Sequence, residues 1–191
     1  MTTAQGPADR FASALGAALD AWSSPDPDQR VLRAAYRRFL AASGAAAVDR
    51  DLGRAHVTGS AFVFTPDLER VVLCFHRKAD AWLQLGGHVE PGDASAQDTA
   101  YREAREESGL TGLAPIGAGP LDLDRHALGP GFTRCDTHWD VGYGFVAEGE
   151  PVASDESAAV RWWPVDALPD AAHPDLVRRL RRAARLARAA R

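Results

Sequence analysis

The stretch Gly86–Leu110, GGHVEPGDASAQDTAYREAREESGL, decides how the rest of this 191-residue chain is read. Its closing residues set Arg102, Glu103, Glu106 and Glu107 into an R-E-x-x-E-E array. On a helix, residues three and four apart are neighbours, so Glu103 shares a face with Glu106 and Glu107. Three carboxylates on one face repel one another unless a cation sits among them. All-oxygen ligation suits a hard divalent ion, and magnesium commonly keeps waters and takes further ligands from phosphate groups. The plainer reading is a solvated charged face. Acids at the C-terminal end of a helix oppose its macrodipole, however, which a purely structural surface has no reason to choose. The metal reading is preferred.

The same stretch resembles the Nudix box, the signature of hydrolases of nucleoside diphosphates linked to another moiety, written G-x5-E-x7-R-E-U-x-E-E-x-G-U with U aliphatic. Gly87 falls on the opening glycine. Arg102, Glu103, Ala104, Glu106, Glu107, Gly109 and Leu110 fall on the closing half without a gap. Two departures stand together: Asp93 takes the first acidic position, and eight residues rather than seven separate it from Arg102. A shorter acid with one more residue of loop restores a similar reach; the alternative is that the position has lost its usual role. Flanking segments extend the likeness, from Arg54 to Leu85 before the box and from Asp155 to Leu168 after it, where a closing strand and short helix are expected. Residues 54–170 are covered in this way.

The resemblance implies a Nudix-like α/β/α sandwich with a mixed sheet, and Mg²⁺ (or Mn²⁺) as cofactor. It implies metal binding by Glu103, Glu106, Glu107 and the Gly87 carbonyl. Arg102, adjacent to Glu103, is expected to point away from the glutamates and to hold a neighbouring carboxylate or loop. The general base falls either on a box glutamate or on Glu156, beside Asp155, whose plainer role is an exposed loop acid. Glu90 is a ligand or a loop brace; His88 touches phosphate or caps its turn. His126, His138 and Asp140 resemble an H…HxD placement seen in some bacterial members. Alternate residues 138 and 140 share a strand face, which suits a second metal or a phosphate contact as well as plain solvent exposure.

The implied activity is a divalent-metal-dependent cleavage of a diphosphate linkage in a nucleoside diphosphate joined to another moiety, or in a related nucleotide. Two alternatives use the same fold. An isopentenyl-diphosphate isomerase-like enzyme would need an active-site cysteine paired with a glutamate, for which Cys74 is a weak candidate. A non-catalytic nucleotide-binding sensor would be expected to have lost box glutamates, which are intact here. Trp82, Phe132, Trp139, Tyr143, Trp162 and Trp163 are candidates for stacking a nucleobase, although aromatic residues on strands usually enter the core.

Outside the box, composition is that of a globular protein, 46% hydrophobic and 25% charged. No run approaches the roughly 20 apolar residues that span a bilayer, and MTTAQGPADR lacks a signal-peptide pattern. Two cysteines are too few for a disulfide framework, so a reducing cytoplasm is expected. Cys74 lies in an apolar run and reads as a buried thiol; Cys135 has no obvious local partner. The alanine and arginine bias is that of a high-GC bacterium. From Leu176 onward there are seven arginines and no acid, so the net charge of -4 becomes -11 for the rest once those +7 are removed. Such a body suits neither a nucleic-acid duplex nor an anionic membrane. Leu176, Val177, Leu180, Ala183, Ala184 and Ala187 line one side of a predicted closing helix, with arginine elsewhere; docking on the domain, with the arginines solvated or paired with the acidic body, is preferred over a free nucleic-acid or membrane patch.

The chain divides into a helical extension, 1–53, and a main domain with its closing helix, 54–191. Ala8–Trp22 and Asp28–Ser43 carry apolar residues at helical spacing around the breaker Ser23–Pro27, with Gly44 as a stop. They form a pair packed on the domain or a homodimer contact. Predicted strands cover Gly59–Thr65, Arg70–His76, Ala81–Leu85, Leu113–Asp124, His138–Val146 and Val160–Trp163.

Overall fold

His56–Phe64 are buried without interruption, as in a strand covered on both faces rather than the alternation of a half-solvated one. In the computed structural model, which describes residues 6–129, 135–154 and 157–190, this run belongs to β1 (Ala55–Phe64). β1 pairs in parallel with β7 (Thr137–Val146) over ten residues, from Ala55↔Thr137 to Phe64↔Val146. It also pairs antiparallel with β2 (Arg70–His76) and β4 (Leu85–His88). β3 (Ala81–Leu83) and β8 (Ser157–Pro164) flank β2, while β5 (Ala114–Pro115) and β6 (Asp122–Ala127) flank β7. Among the described residues this is one mixed sheet of eight strands.

Three expected elements differ. Ala81–Leu85 breaks at Gln84 into β3 and β4, which pair with different neighbours, and β4 runs on through Gly86 and Gly87 to His88. Leu113–Asp124 splits into β5 and β6 because Gly117–Pro120 interrupts it. Val165–Leu168 forms a turn, not a short helix.

Alternation along β1 sends Val57, Ala61 and Val63 to one face and Phe62 and Phe64 to the other. The first face packs with Phe11, Leu15 and Leu19 of α1 (Pro7–Ala21), Tyr36 and Leu40 of α2 (Pro27–Ser43), and Ala96, Ala100 and Ala104 of α3 (Ala96–Ser108). The second takes Leu176, Leu180, Ala183, Ala184 and Ala187 of α4 (Pro174–Ala189). Helices therefore cover both sides of the sheet. Two polar side chains of α2 fix its seat. Gln29 donates to the Leu123 carbonyl at 2.8 Å and accepts from the Leu123 N–H at 2.7 Å, in the manner of an added strand residue. The Tyr36 hydroxyl reaches the carbonyls of Asp124 and Asp140 at 2.7 and 2.6 Å.

The α4 arginines do not all lie outside the apolar stripe, as the sequence pattern suggests. Arg179 is 3% exposed and Arg182 8%. Arg179 donates to Asp122 and Asp140, both at 2.6 Å, and Arg182 to Asp122 and Asp26. Arg178 bonds Asp124 at 2.9 Å. Asp122 and Asp140 are fully or almost fully buried, so removing their cation leaves ionised groups in a poor solvent. Arg179→Ala is expected to cost about 3–5 kcal/mol, the range for breaking a buried ion pair from one side. A denaturant midpoint unchanged from the parent would contradict this account of how α4 docks.

Candidate active site

Ser95 starts α3 by accepting the Asp98 N–H at 3.2 Å, and Gly109 ends it in the left-handed region at φ 65°. Between these caps, Ala96, Ala100 and Ala104 recur every four residues and face the sheet. Small side chains there allow close packing on β1 and β4, which carries Glu103 and Glu107 to the end of β4.

There the charges converge on one guanidinium. Arg102 Nε and Nη2 donate to the two oxygens of Asp93 at 3.1 and 3.0 Å. Nη2 also reaches the His88 carbonyl at 2.8 Å, and Nη1 donates to Glu103 and Glu106, both at 2.9 Å. Arg102 therefore does not point away from the glutamates; it lies among them. Its long side chain folds back across its own helix turn, which adjacency to Glu103 in sequence does not reveal. Burial would push the Asp93 carboxyl up, but bonds from Arg102, the Glu90 N–H and Thr99 outweigh it and hold it below the usual carboxylate range. The shorter acid thus receives Arg102 through a fork-like pair, and the extra loop residue brings it into place.

Glu103 is the most perturbed acid of the group. Burial pushes its carboxyl up to about 7, against the pull of Arg102 and with help from Glu106 and Glu90. Gly87 backs directly onto it, since a Cβ added there would meet Glu103 Cδ at 2.6 Å. Glu107 is buried and accepts the Gly86 N–H at 2.8 Å. Glu106 is open to solvent, with 58% of its side chain exposed. Glu90 is also exposed, its carboxylate 3.9 Å from Arg102. Crowded oxygens around a strand end, one of them raised toward neutrality, form a donor set that fits a hard divalent cation.

The remaining candidates lie elsewhere. Asp140 is held by Thr58, Ser60 and Arg179, and His126 Nδ1 sits 2.9 Å from Asp124. His138 instead joins His56, His88 and Cys135 in a cluster whose ligand-type atoms all lie within 4.8 Å of one another. His56 and Cys135 were not singled out as candidates from sequence; the C-x-x-H spacing of Cys135 and His138 was the available signal. Glu156 and Phe132 lie outside the described residues. Trp139 stacks on Phe39 at 4.4 Å and meets Tyr36 edge-on, Trp163 packs against Trp82, and Tyr143 is buried, so these aromatic residues serve packing. Cys74 is 2% exposed, its thiol raised well above the ordinary range by burial and by Glu107, whose carboxylate lies 3.8 Å away.

A family model described as the NUDIX domain matches residues 54–184, and the chain belongs to the Nudix family. Solved structures agree on the fold. A Nudix-family hydrolase from Clostridium perfringens superimposes with a TM-score of 0.59 at 23% identity, over 71% of this chain and 99% of that one. A dihydroneopterin triphosphate pyrophosphohydrolase from E. coli gives 0.52 at 19% identity, over 65% and 91%. A UDP-X diphosphatase gives 0.53 at 16% identity and spans 95% of this chain and 96% of its own. No curated protein matches the sequence significantly. Among the described residues no helix is long and apolar enough to cross a membrane.

Arg102→Ala would strand the Asp93 carboxylate, whose side chain is 5% exposed. A loss of about 3 kcal/mol is expected from thermal or chemical denaturation of the metal-free protein. Arg102→Lys should recover only part of it, because an ammonium cannot satisfy two carboxylate oxygens and the His88 carbonyl in one plane.

Proposed function

We propose that this protein is a divalent-metal-dependent hydrolase that cleaves the diphosphate linkage of a nucleoside diphosphate joined to another moiety, or of a related nucleotide. The observation that carries the reading is the gathering of Glu103 and Glu106 around the Arg102 guanidinium at the end of β4, where Glu107 holds the Gly86 N–H. Family membership supports it, since Nudix enzymes generally act on pyrophosphate bonds and generally use divalent ions. Relatives of the same fold are named as a pyrophosphohydrolase and a diphosphatase.

Glu103, Glu106, Glu107 and the Gly87 carbonyl would hold Mg²⁺ or Mn²⁺. Such an ion, when bound, lowers the pKa of water and offsets charge on phosphoryl oxygens. The chain's own residues prepare that chemistry. Asp93 and the His88 carbonyl fix Arg102, and Arg102 in turn fixes Glu103 and Glu106. Glu107 ties the helix to Gly86. Water adds to one phosphorus as the bridging P–O bond breaks, releasing two phosphate products and a proton. A carboxylate takes that proton: Glu106, the most open of the box glutamates, or Glu156. His88, Glu90, His126, His138 and Asp140 are not needed for this step. The intact glutamates set the reading apart from a non-catalytic sensor, and the burial of Cys74 sets it apart from an isomerase whose thiol must reach substrate.

Glu106→Gln is expected to lower Mg²⁺-dependent release of phosphomonoester product, read as phosphate through a coupling phosphatase, by about two or more orders of magnitude, with the melting temperature little changed. A screen of nucleoside diphosphate sugars, dinucleoside polyphosphates, ADP-ribose and NADH provides the substrate for that measurement. Full turnover in the variant would overturn the proposal. If Glu156 rather than Glu106 is the base, Glu156→Gln removes the acidic limb of the pH–rate profile and Glu106→Gln leaves it in place.

Because Glu103 takes up a proton near pH 7 in the metal-free protein, Mg²⁺ has to displace it. Apparent affinity by calorimetry should rise as pH is raised through about 7 and level off above it. Glu103→Gln should weaken binding and flatten that dependence.

A further inference from the structure

Three histidines and a cysteine meet on the sheet, apart from the box carboxylates. His56 on β1 and His138 on β7 are direct partners across the parallel pair. His88 ends β4, which is paired antiparallel to β1, and Cys135 lies two residues before β7. The histidine rings stand 4.9 to 5.3 Å apart by their centroids. His88 Nε2 lies 3.7 Å from Cys135 Sγ.

The cluster leaves buried hydrogen-bonding capacity unused. His56 Nε2 and His138 Nε2 are both buried without a hydrogen-bond partner. An unmade bond at a buried polar atom is costly and uncommon in native proteins, and here two fall in one group. His56 Nδ1 meanwhile sits 3.3 Å from the Gly53 carbonyl. Donation from that nitrogen leaves Nε2 as the lone-pair atom, which is how a metal-bound histidine is oriented by its outer partner. Burial and the neighbouring rings push His88 down to about 4 and His138 down to about 3, so both are neutral near pH 7.

We infer that His56, His88, Cys135 and His138 form a closed tetrahedral site for a borderline-soft transition metal, Zn²⁺ above all, distinct from the carboxylate site. In a zinc site with ligands at 2.0–2.3 Å, tetrahedral geometry sets donor atoms about 3.3–3.6 Å from one another. The His88–Cys135 separation already approaches that value, and pairs as far apart as 4.8 Å have to close by about 1.2–1.5 Å. A nitrogen- and sulfur-rich set selects against Mg²⁺, so each site takes its own ion. Asp140 is not a ligand, since Thr58, Ser60 and Arg179 occupy it. Four protein ligands leave no open position, which assigns a structural role. The site joins β1, β4 and β7, and it anchors the residue whose carbonyl receives Arg102.

The test uses the full chain with any affinity tag removed. Metal analysis after dialysis should find about one zinc per chain. Loading the stripped protein with Co²⁺ should give the sulfur-to-cobalt charge-transfer band and the intense visible bands of tetrahedral cobalt. Cys135→Ser should lose the charge-transfer band and His138→Ala should lose zinc, whereas Glu106→Gln should keep both. Wild-type protein offered equimolar Zn²⁺ that retains less than about a tenth of an equivalent overturns the inference without recourse to any variant. So does a cobalt spectrum lacking the sulfur band. Hydrolysis lost in Glu106→Gln with zinc intact separates this site from the catalytic one.

Discussion

The parallel pairing of β1 with β7 is the constraint on which the other features depend. Ten residues in register bury β1 on both faces and place His56 opposite His138 and Thr58 opposite Asp140. The same strand pairs with β4 from Leu85 to His88, so the start of the box inherits its position from the centre of the sheet. α3 then has one place to lie, with its alanine face down and its acids at the strand end. Slipping the pairing by one residue would turn each side chain to the opposite face and undo the core and both polar groups together.

Charge burial is handled in two ways. On the α4 side, Asp122 and Asp140 are out of water and Arg179 and Arg182 meet them with directed bonds, a geometry in which neither sign tolerates loss of the other. Around α3, one guanidinium serves Asp93, Glu103 and Glu106, fewer positive charges than negative ones. That imbalance is what burial of Glu103 amplifies, and it favours a further cation. The first arrangement holds the fold together; the second leaves the strand end poised for a ligand.

Much of this was legible in the chain. The box spacing carried the fold class, the helix and its Gly109 stop, because those depend on local periodicity and a left-handed cap. The two N-terminal helices and Arg70–His76 also follow from local pattern. The division of Ala81–Leu85 into β3 and β4 was not legible, since it depends on which strands lie alongside. Pairing of the α4 arginines with the acidic body was legible as one of two outcomes, the other being solvation, but a helical wheel cannot tell that Arg179 and Arg182 are the ones that aspartates of β6 and β7 bury. The C-x-x-H spacing of Cys135 and His138 was visible, but the other two members of their cluster, His56 and His88, are 79 and 47 residues from Cys135 by numbering and are brought close only by the fold. The direction of Arg102 was missed because a flexible side chain follows the charges around it, not its place in the sequence.

The docking of α4 has a bearing on the order of events during synthesis. β6 and β7 leave the ribosome well before Pro174–Ala189, so Asp122 and Asp140 stay hydrated and Phe62 and Phe64 stay uncovered until the arginines emerge. This face of the sheet therefore closes late. The growing chain carries an unfinished apolar surface through most of translation, an interval in which a holding chaperone has something to grip.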